Sequence, residues 1–222
     1  MKAIVAVYGK FTDERARLVA ALKRSVERNS PELKVEFVHP EPPPPDALDR
    51  FLPKLRAWEA GVNHTDDDVL LLDADTLILG DVTTLSRESF HLAHAMRPGQ
   101  YPVNTGVVFV RPCVRTRRFM REWRHLTEYW QSTKALRNQA RAEYAGTDQA
   151  AFVDALAAHQ LNVLPLDYTE WNLCQDFQRM TDNTRILHLK GKIHRACLAG
   201  RYENLHPNVI REWKKYDVET LG

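Results

Sequence analysis

The chain has 222 residues, a formal net charge of +2 and 44% hydrophobic residues. This length can bury a substantial core in one large or two small domains, and the nearly balanced charge gives no electrostatic basis for nucleic-acid binding. No segment reaches the ~20 apolar residues that a transmembrane helix needs. Three widely separated cysteines favour a reducing compartment over a disulfide framework, so we expect a cytoplasmic protein.

The first part of the chain alternates strand and helix patterns, which is typical of an α/β domain with a parallel sheet. The helix patterns place apolar residues at helical spacing, and the strands are short β-rich runs. A proline-rich stretch at residues 41–46 can only be an extended connection. The predicted elements are, in chain order, a strand at 3–7, a helix capped by Thr12, a strand at 34–39, a helix with Pro53 in its first turn and a strand within 66–79.

The second part mixes strands and helices less regularly and is predicted to be α+β. Strands are expected at 89–96, 103–111, 161–166 and 185–190, and helices at 119–130, from Asp148 and at 207–216. We therefore predict one α/β domain over residues 1–222, with a nucleotide-binding βαβ half at 1–82, a mixed central sheet and an acceptor-side half at 83–222.

The segment LLLDADTLIL, residues 70–79, places two aspartates within the most hydrophobic run of the chain. In an α/β sheet ligands bind beyond the carboxyl ends of the strands, where Asp73 and Asp75 are expected. Residues i and i+2 of an extended chain project to the same side, so the two carboxylates can share one divalent cation. The alternative is an ordinary turn, since aspartate is common after strands.

Two kinds of enzyme place a DxD sequence after an apolar strand. Haloacid-dehalogenase-type phosphatases carry DxDx[TV], which DADTL resembles with its threonine one place early, but the downstream acidic motif of that family is missing here. GT-A glycosyltransferases carry DxD after a nucleotide-binding βαβ region, as found here. Six motifs follow the order and spacing of glycosyltransferase family 8, which the chain resembles over residues 1–195: KLRAW, LLLDADTLILGDV, NTGVVFVRP, TDQAAF, LPLDYTEWN and ILHLKGK.

The resemblance implies a GT-A fold and a metal held by Asp73, Asp75 and His188. Two carboxylates and an imidazole suit Mn²⁺ better than Mg²⁺, although Mg²⁺ also fits the carboxylates. It further implies catalytic roles for Asp148 and Gln149 beside the donor sugar. The substrate-binding residues that it implies are Tyr8, Lys54, Asp73, Ala74, Asn104, Gly106, Gly191 and Lys192.

Each of these residues also has a structural explanation. His188 can be an ordinary strand histidine, Asp148 a helix N-cap, Asn104 with Gly106 a turn, and Lys192 a surface lysine. The chain also departs from the family after the histidine. His194 stands where the family has a lysine, so Lys192 is only a nearby substitute for the diphosphate contact.

We thus predict a metal-dependent enzyme that transfers a hexose from a nucleoside-diphosphate sugar, with UDP as the nucleotide, to an acceptor hydroxyl with retention. The alternatives are a phosphohydrolase, a nucleotidyltransferase and a nucleotide-sugar-binding protein without turnover. The acceptor is a glycan, glycolipid or protein. Arg117, Arg121 and Arg124 repeat along one helix face, which is either solvated or a dock for an anionic membrane, so peripheral association with the inner membrane surface is an open alternative.

Overall fold

The computed structural model describes residues 1–7, 13–39, 51–96 and 103–217. Its strands are β1 Lys2–Ala6, β2 Lys34–Val38, β3 Val69–Asp73, β4 Thr76–Ile78, β5 Leu92–Met96, β6 Val103–Val110, β7 Val163–Asp167 and β8 Ile186–His188. Its α-helices are α1 Asp13–Asn29, α2 Phe51–Asn63, α3 Val114–Gln131, α4 Lys134–Tyr144, α5 Thr147–Ala158, α6 Tyr168–Trp171, α7 Lys192–Leu198 and α8 Pro207–Tyr216.

The described residues form a mixed central sheet of six strands in the order β2-β1-β3-β6-β5-β7. The βαβ half contributes parallel pairs, with β1 between β2 and β3. β6 then runs antiparallel to both β3 and β5, while β5 and β7 are parallel. The predicted α/β class with a mixed sheet is therefore confirmed.

Hydrophobic cores cover both faces of this sheet because successive residues of β1 and β3 point to opposite sides. Ile4 and Leu71 pack with residues of α2, α3 and α5, whereas Val5 and Leu72 pack with residues of α1. A third cluster joins α1 to β4, β8, α7 and α8. No helix among the described residues is long and apolar enough to cross a membrane.

The apolar strand ends at the DxD sequence, as predicted, but the assignment of the whole segment 66–79 to this one strand is wrong. The chain leaves the central sheet after Asp73, turns at residues 74–75 and starts β4, which pairs antiparallel with β8 in a separate two-stranded sheet. The hydroxyl of Thr76 donates to the carbonyl of Asp73 at 2.9 Å and closes this turn. Leu77 and Ile78 remain buried, but against α1 and its neighbours rather than in the central sheet.

Three smaller differences concern the helices and the undescribed segments. The pattern did not predict α4, α6 or α7. The Asp148 cap is also wrong, since α5 begins at Thr147 with Gly146 as its N-cap and Asp148 is its second residue. The Thr12 cap and the connection at 41–46 lie outside the described residues.

His94, in the middle of β5, gives the stability of the fold a pH dependence. Its side chain is 3% exposed, its ring meets Phe152 edge-on at 5.1 Å, and its Nδ1 has no hydrogen-bond partner among the described residues. Burial lowers the pKa of His94 because the charged ring would lose its water. The neutral ring therefore favours folding above the unfolded pKa of about 6.5, and this contribution is lost as pH falls towards the folded value.

We expect acidification below about pH 6.5 to lower the free energy of unfolding by up to about 1.4 kcal/mol per pH unit through His94. Urea denaturation at pH 7.5 and 5.5 measures this loss. The His94→Leu variant keeps the other eight histidines and should lose less stability over the same interval. Equal losses in the two proteins would contradict the assignment.

Candidate active site

The site lies at the carboxyl end of β3, beside the start of the antiparallel strand β6. Because β6 is antiparallel to β3, the first residues of β6 lie beside the last residues of β3, with Val107 opposite Leu72. Gly106 is thereby placed next to Asp73. β8 ends at the same edge, because His188 pairs with Thr76 at the start of β4.

Three side chains at this edge can hold a metal ion. One ligand atom from each of Asp73, Asp75 and His188 lies within 4.8 Å of the others. The Nε2 of His188 is 3.2 Å from Asp75 Oδ1 and 3.8 Å from Asp73 Oδ2. Two carboxylates and one imidazole this close together are a donor set that could hold a divalent cation.

Gly106 is required for this arrangement. A Cβ added there would lie 2.2 Å from His188 Cε1 and 2.8 Å from Asp73 Oδ2. Both distances are far below van der Waals contact. The absence of a side chain at residue 106 therefore lets the imidazole approach the central strand and reach the aspartates.

Asp75 faces two histidines. Besides its contact with His188, its Oδ2 lies 3.2 Å from Nδ1 of His194 on α7. Burial alone would raise the pKa of Asp75, but the neighbouring imidazoles of His188 and His194 outweigh burial and hold this pKa well below its usual range. Asp75 is therefore a carboxylate at neutral pH, as a metal ligand must be.

Lys54 contacts both Asp73, at the sheet edge, and Asp148, on α5. Its side chain is 2% exposed, and Nζ lies 3.1 Å from Asp73 Oδ1 and 3.2 Å from Asp148 Oδ2. Burial acts to lower the pKa of Lys54, but the charges of Asp73 and Asp148 outweigh it, and the pKa is raised above its ordinary value. Lys54 is therefore a permanent cation between two carboxylates, and any stability that it adds is lost only at strongly alkaline pH.

Two buried acceptors remain without partners at the start of α5. Thr105 donates to Asp148 Oδ2 at 2.7 Å, yet Asp148 Oδ1 and Gln149 Oε1 have no hydrogen-bond partner among the described residues. Buried acceptors normally find a donor, so these two oxygens are unsatisfied polar groups in residues that line the cavity described next.

The site opens into a cavity of about 610 Å³. This volume is in the range of sites for small-molecule ligands. The predicted residues that line the cavity are Lys54, Asp73, Ala74, Asp75, Asn104, Gly106, Asp148, Gln149, His188 and Gly191. Tyr8 lies outside the described residues.

The structure differs from the sequence prediction at the cationic side of the cavity. Lys192 is exposed at the first residue of α7 and does not contribute to the lining, whereas Lys190, His194 and Arg195 do. Gly191 between them has φ +66°, so the chain reverses there and separates the two lysines. Sequence reasoning also missed Thr105 and Asn172, although both lie within motifs of the resemblance.

The fold is that of the GT-A glycosyltransferases. A glycosyltransferase involved in the glycosylation of the major capsid of PBCV-1 matches with a TM-score of 0.65 over 92% of this chain and 99% of its own, at 14% identity. The glycosyltransferase GlyE of Streptococcus pneumoniae TIGR4 matches with a TM-score of 0.61 over 98% of this chain, at 14% identity. This chain spans only 60% of the length of GlyE. No protein-family model and no curated protein sequence matches the chain.

Proposed function

We propose that this protein is a metal-dependent glycosyltransferase that moves a hexose from a UDP-sugar to an acceptor hydroxyl. The observation that carries the proposal is the meeting of two kinds of group in one cavity. Asp73, Asp75 and His188 are close enough to hold a cation together, and Asp148 and Gln149, each with a buried oxygen that lacks a partner among the described residues, line the same cavity. A nucleoside-diphosphate sugar offers a metal-binding diphosphate and, next to it, a ring of hydroxyl donors.

The donor would lie with its diphosphate towards the cation site and its sugar towards the start of α5. Bound Mn²⁺, or Mg²⁺, would supply charge stabilisation for the diphosphate leaving group. Lys190 and Arg195 add positive charge at the cavity wall, where Coulomb attraction favours an anionic donor. Asp148 and Gln149 would accept hydrogen bonds from sugar hydroxyls and so fix the orientation of the ring.

The residues present favour direct attack by the acceptor. Gln149 is an amide and a poor nucleophile, and Lys54 already engages the carboxylate of Asp148 at 3.2 Å. A covalent glycosyl intermediate therefore has no obvious nucleophile at the start of α5. We propose that the acceptor oxygen bonds to the anomeric carbon on the face from which the diphosphate departs, with retention, and that its proton passes to the departing phosphate oxygen.

The phosphohydrolase alternative loses its main support. That support was the resemblance of the sequence DADTL to the phosphatase motif. In this structure Asp73 instead ends the third strand of a mixed GT-A sheet and contacts Lys54 and His188. A sugar-nucleotide-binding protein without turnover uses the same cavity and differs only in activity. Nucleotide binding and transfer must therefore be measured separately.

Calorimetric titration of UDP in Mn²⁺, with GDP as the nucleotide control and EDTA as the metal control, tests the proposal. We expect UDP to bind in Mn²⁺ more tightly than GDP, and this binding to disappear in EDTA. No nucleotide binding in either condition would overturn the proposal. Hydrolysis or transfer from a panel of UDP-sugars then separates an enzyme from a binding protein.

Asp75→Asn is the matched variant for this titration. It keeps the size of the side chain but removes the negative charge that a cation needs, so the Mn²⁺-dependent part of UDP binding should be lost while the thermal unfolding curve remains cooperative. Unchanged Mn²⁺-dependent binding in this variant would show that the cation site lies elsewhere.

A further inference from the structure

Asn172 lies beside the candidate metal centre and is fixed by its surroundings. It follows α6, and its backbone N–H donates to the carbonyl of Tyr168 at 3.1 Å. The next residue, Leu173, accepts from the His188 N–H at 2.9 Å and so joins this segment to β8. Asn172 is 1% exposed, and its side chain meets His188 within the protein interior.

The hydrogen-bond network determines which way the Asn172 amide faces. Its Nδ2 is 3.2 Å from the backbone carbonyl oxygen of Asn104, which can only accept a hydrogen bond. Nδ2 must therefore donate to Asn104, and Oδ1 is the atom that faces His188 Nδ1 at 3.1 Å. Since this oxygen can only accept, His188 Nδ1 must carry a proton.

A proton at Nδ1 directs the chemistry of the other ring nitrogen. It leaves Nε2 as the nitrogen that can bind a metal, and Nε2 is the atom that faces Asp73 and Asp75, to which it can donate when no metal is bound. Gly106 limits the ring from another side, because an added methyl group there would lie 2.2 Å from Cε1. The imidazole thus has Asn172 at Nδ1, while its Cε1 occupies the space that a side chain at residue 106 would need.

We propose that Asn172 is a positioning residue for the metal centre, which sets His188 in the Nδ1–H form and aims Nε2 at the cation. The proposal rests on the metal-dependent function proposed above. Partners of the second nitrogen of a ligand histidine commonly change metal affinity 10- to 100-fold, roughly, when they are removed. The role belongs to the Oδ1 acceptor and not to the Nδ2 donor.

Two variants separate these roles. Asn172→Leu is close in size and removes both the acceptor and the donor. Asn172→Asp keeps an acceptor oxygen at His188, loses the Nδ2 hydrogen bonds to the backbone carbonyl and the side-chain oxygen of Asn104, and adds a negative charge near the candidate cation site. A merely structural role predicts that both variants lose stability and that neither selectively loses metal affinity.

Mn²⁺ affinity, measured from the electron paramagnetic resonance signal of free Mn²⁺, is the first readout. We expect Asn172→Leu to bind Mn²⁺ about 10- to 100-fold more weakly than wild type, and Asn172→Asp to bind it at least as tightly as wild type even if its melting temperature falls. Wild-type affinity in a folded Asn172→Leu variant, or an equal loss in both variants, would overturn the proposal.

The second readout needs no metal and no folded Leu variant. Nitrogen-15 NMR of the metal-free wild-type protein distinguishes protonated from unprotonated ring nitrogens, and His188→Gln identifies the His188 signals among the nine histidines. We expect a proton at Nδ1 of His188. An unprotonated Nδ1 would overturn the proposal, whereas a protonated Nδ1 in a protein that binds no Mn²⁺ would uphold the orientation and count against the proposed function alone.

Discussion

Lys54→Met is expected to lower the free energy of unfolding by about 3–5 kcal/mol, the usual cost of breaking a buried ion pair from one side. Lys54 is the common partner of Asp73 and Asp148, and Asp148 is itself 2% exposed. Without the ammonium group, the Thr105 hydroxyl is the one donor to the Asp148 carboxylate that remains among the described residues. Methionine can fill the space over the Trp58 ring, where Lys54 Nζ lies 4.5 Å from the centroid, so a cavity is not the main cause of the loss.

Urea denaturation of the wild type, Lys54→Met and the double variant Lys54→Met/Asp148→Asn measures this effect. The double variant removes the unpaired negative charge of Asp148 but keeps a side-chain oxygen that accepts from the Thr105 hydroxyl. We expect it to recover part of the lost stability. A loss below about 1 kcal/mol in the single variant, typical of exposed ion pairs, would mean that water reaches Asp148.

Gly106→Ala is expected to weaken Mn²⁺ binding at least about 10-fold, as the removal of a hydrogen-bond partner of a metal-binding histidine commonly does. It should also lower the free energy of unfolding by about 1–3 kcal/mol, because the added methyl group overpacks the site. The new methyl group collides with His188 Cε1 and Asp73 Oδ2, so relief of the clash must move a metal ligand. The neighbouring residues Val107 and Val108 are paired with β3, which limits how far the backbone can move instead.

Gly61→Ala on α2 is the matched control. A methyl group there also approaches a neighbour to 2.2 Å, but that neighbour is the terminal carbon of Ile4 in the hydrophobic core. Isothermal titration with Mn²⁺ should show wild-type affinity for Gly61→Ala and weakened affinity for Gly106→Ala. Equal affinities in the two variants would mean that His188 adapts without cost.

The sequence carried enough information for the fold class and for the central residues of the site. Local patterns indicated the βαβ half, and an apolar run that ends in DxD placed two carboxylates at the sheet edge. His188 depended on the family resemblance, since a histidine in a short strand has no signal of its own. The prediction failed where the chain changes sheets, because Leu77 and Ile78 are as apolar as a continued strand would be.

The supporting residues were missed for a different reason. Thr105 and Asn172 act through hydrogen bonds to residues elsewhere in the chain, such as the bond from Thr105 to Asp148 and the contact of Asn172 with His188. Only the antiparallel course of β6 and the pairing of the Leu173 segment with β8 bring these groups together. The choice between Lys190 and Lys192 likewise depended on the backbone conformation of Gly191, which residue spacing does not reveal.

The position of His188 on the two-stranded sheet has a mechanical consequence. Asp73 belongs to the six-stranded sheet, whereas His188 belongs to the β4–β8 ribbon. A cation bound by both residues would act as a removable crosslink between the two sheets. Because a ligand stabilises the state that it binds, bound metal should make local opening of β4 and β8 less frequent. Amide hydrogen exchange in these two strands should then slow more than exchange at the distant edge strand β2.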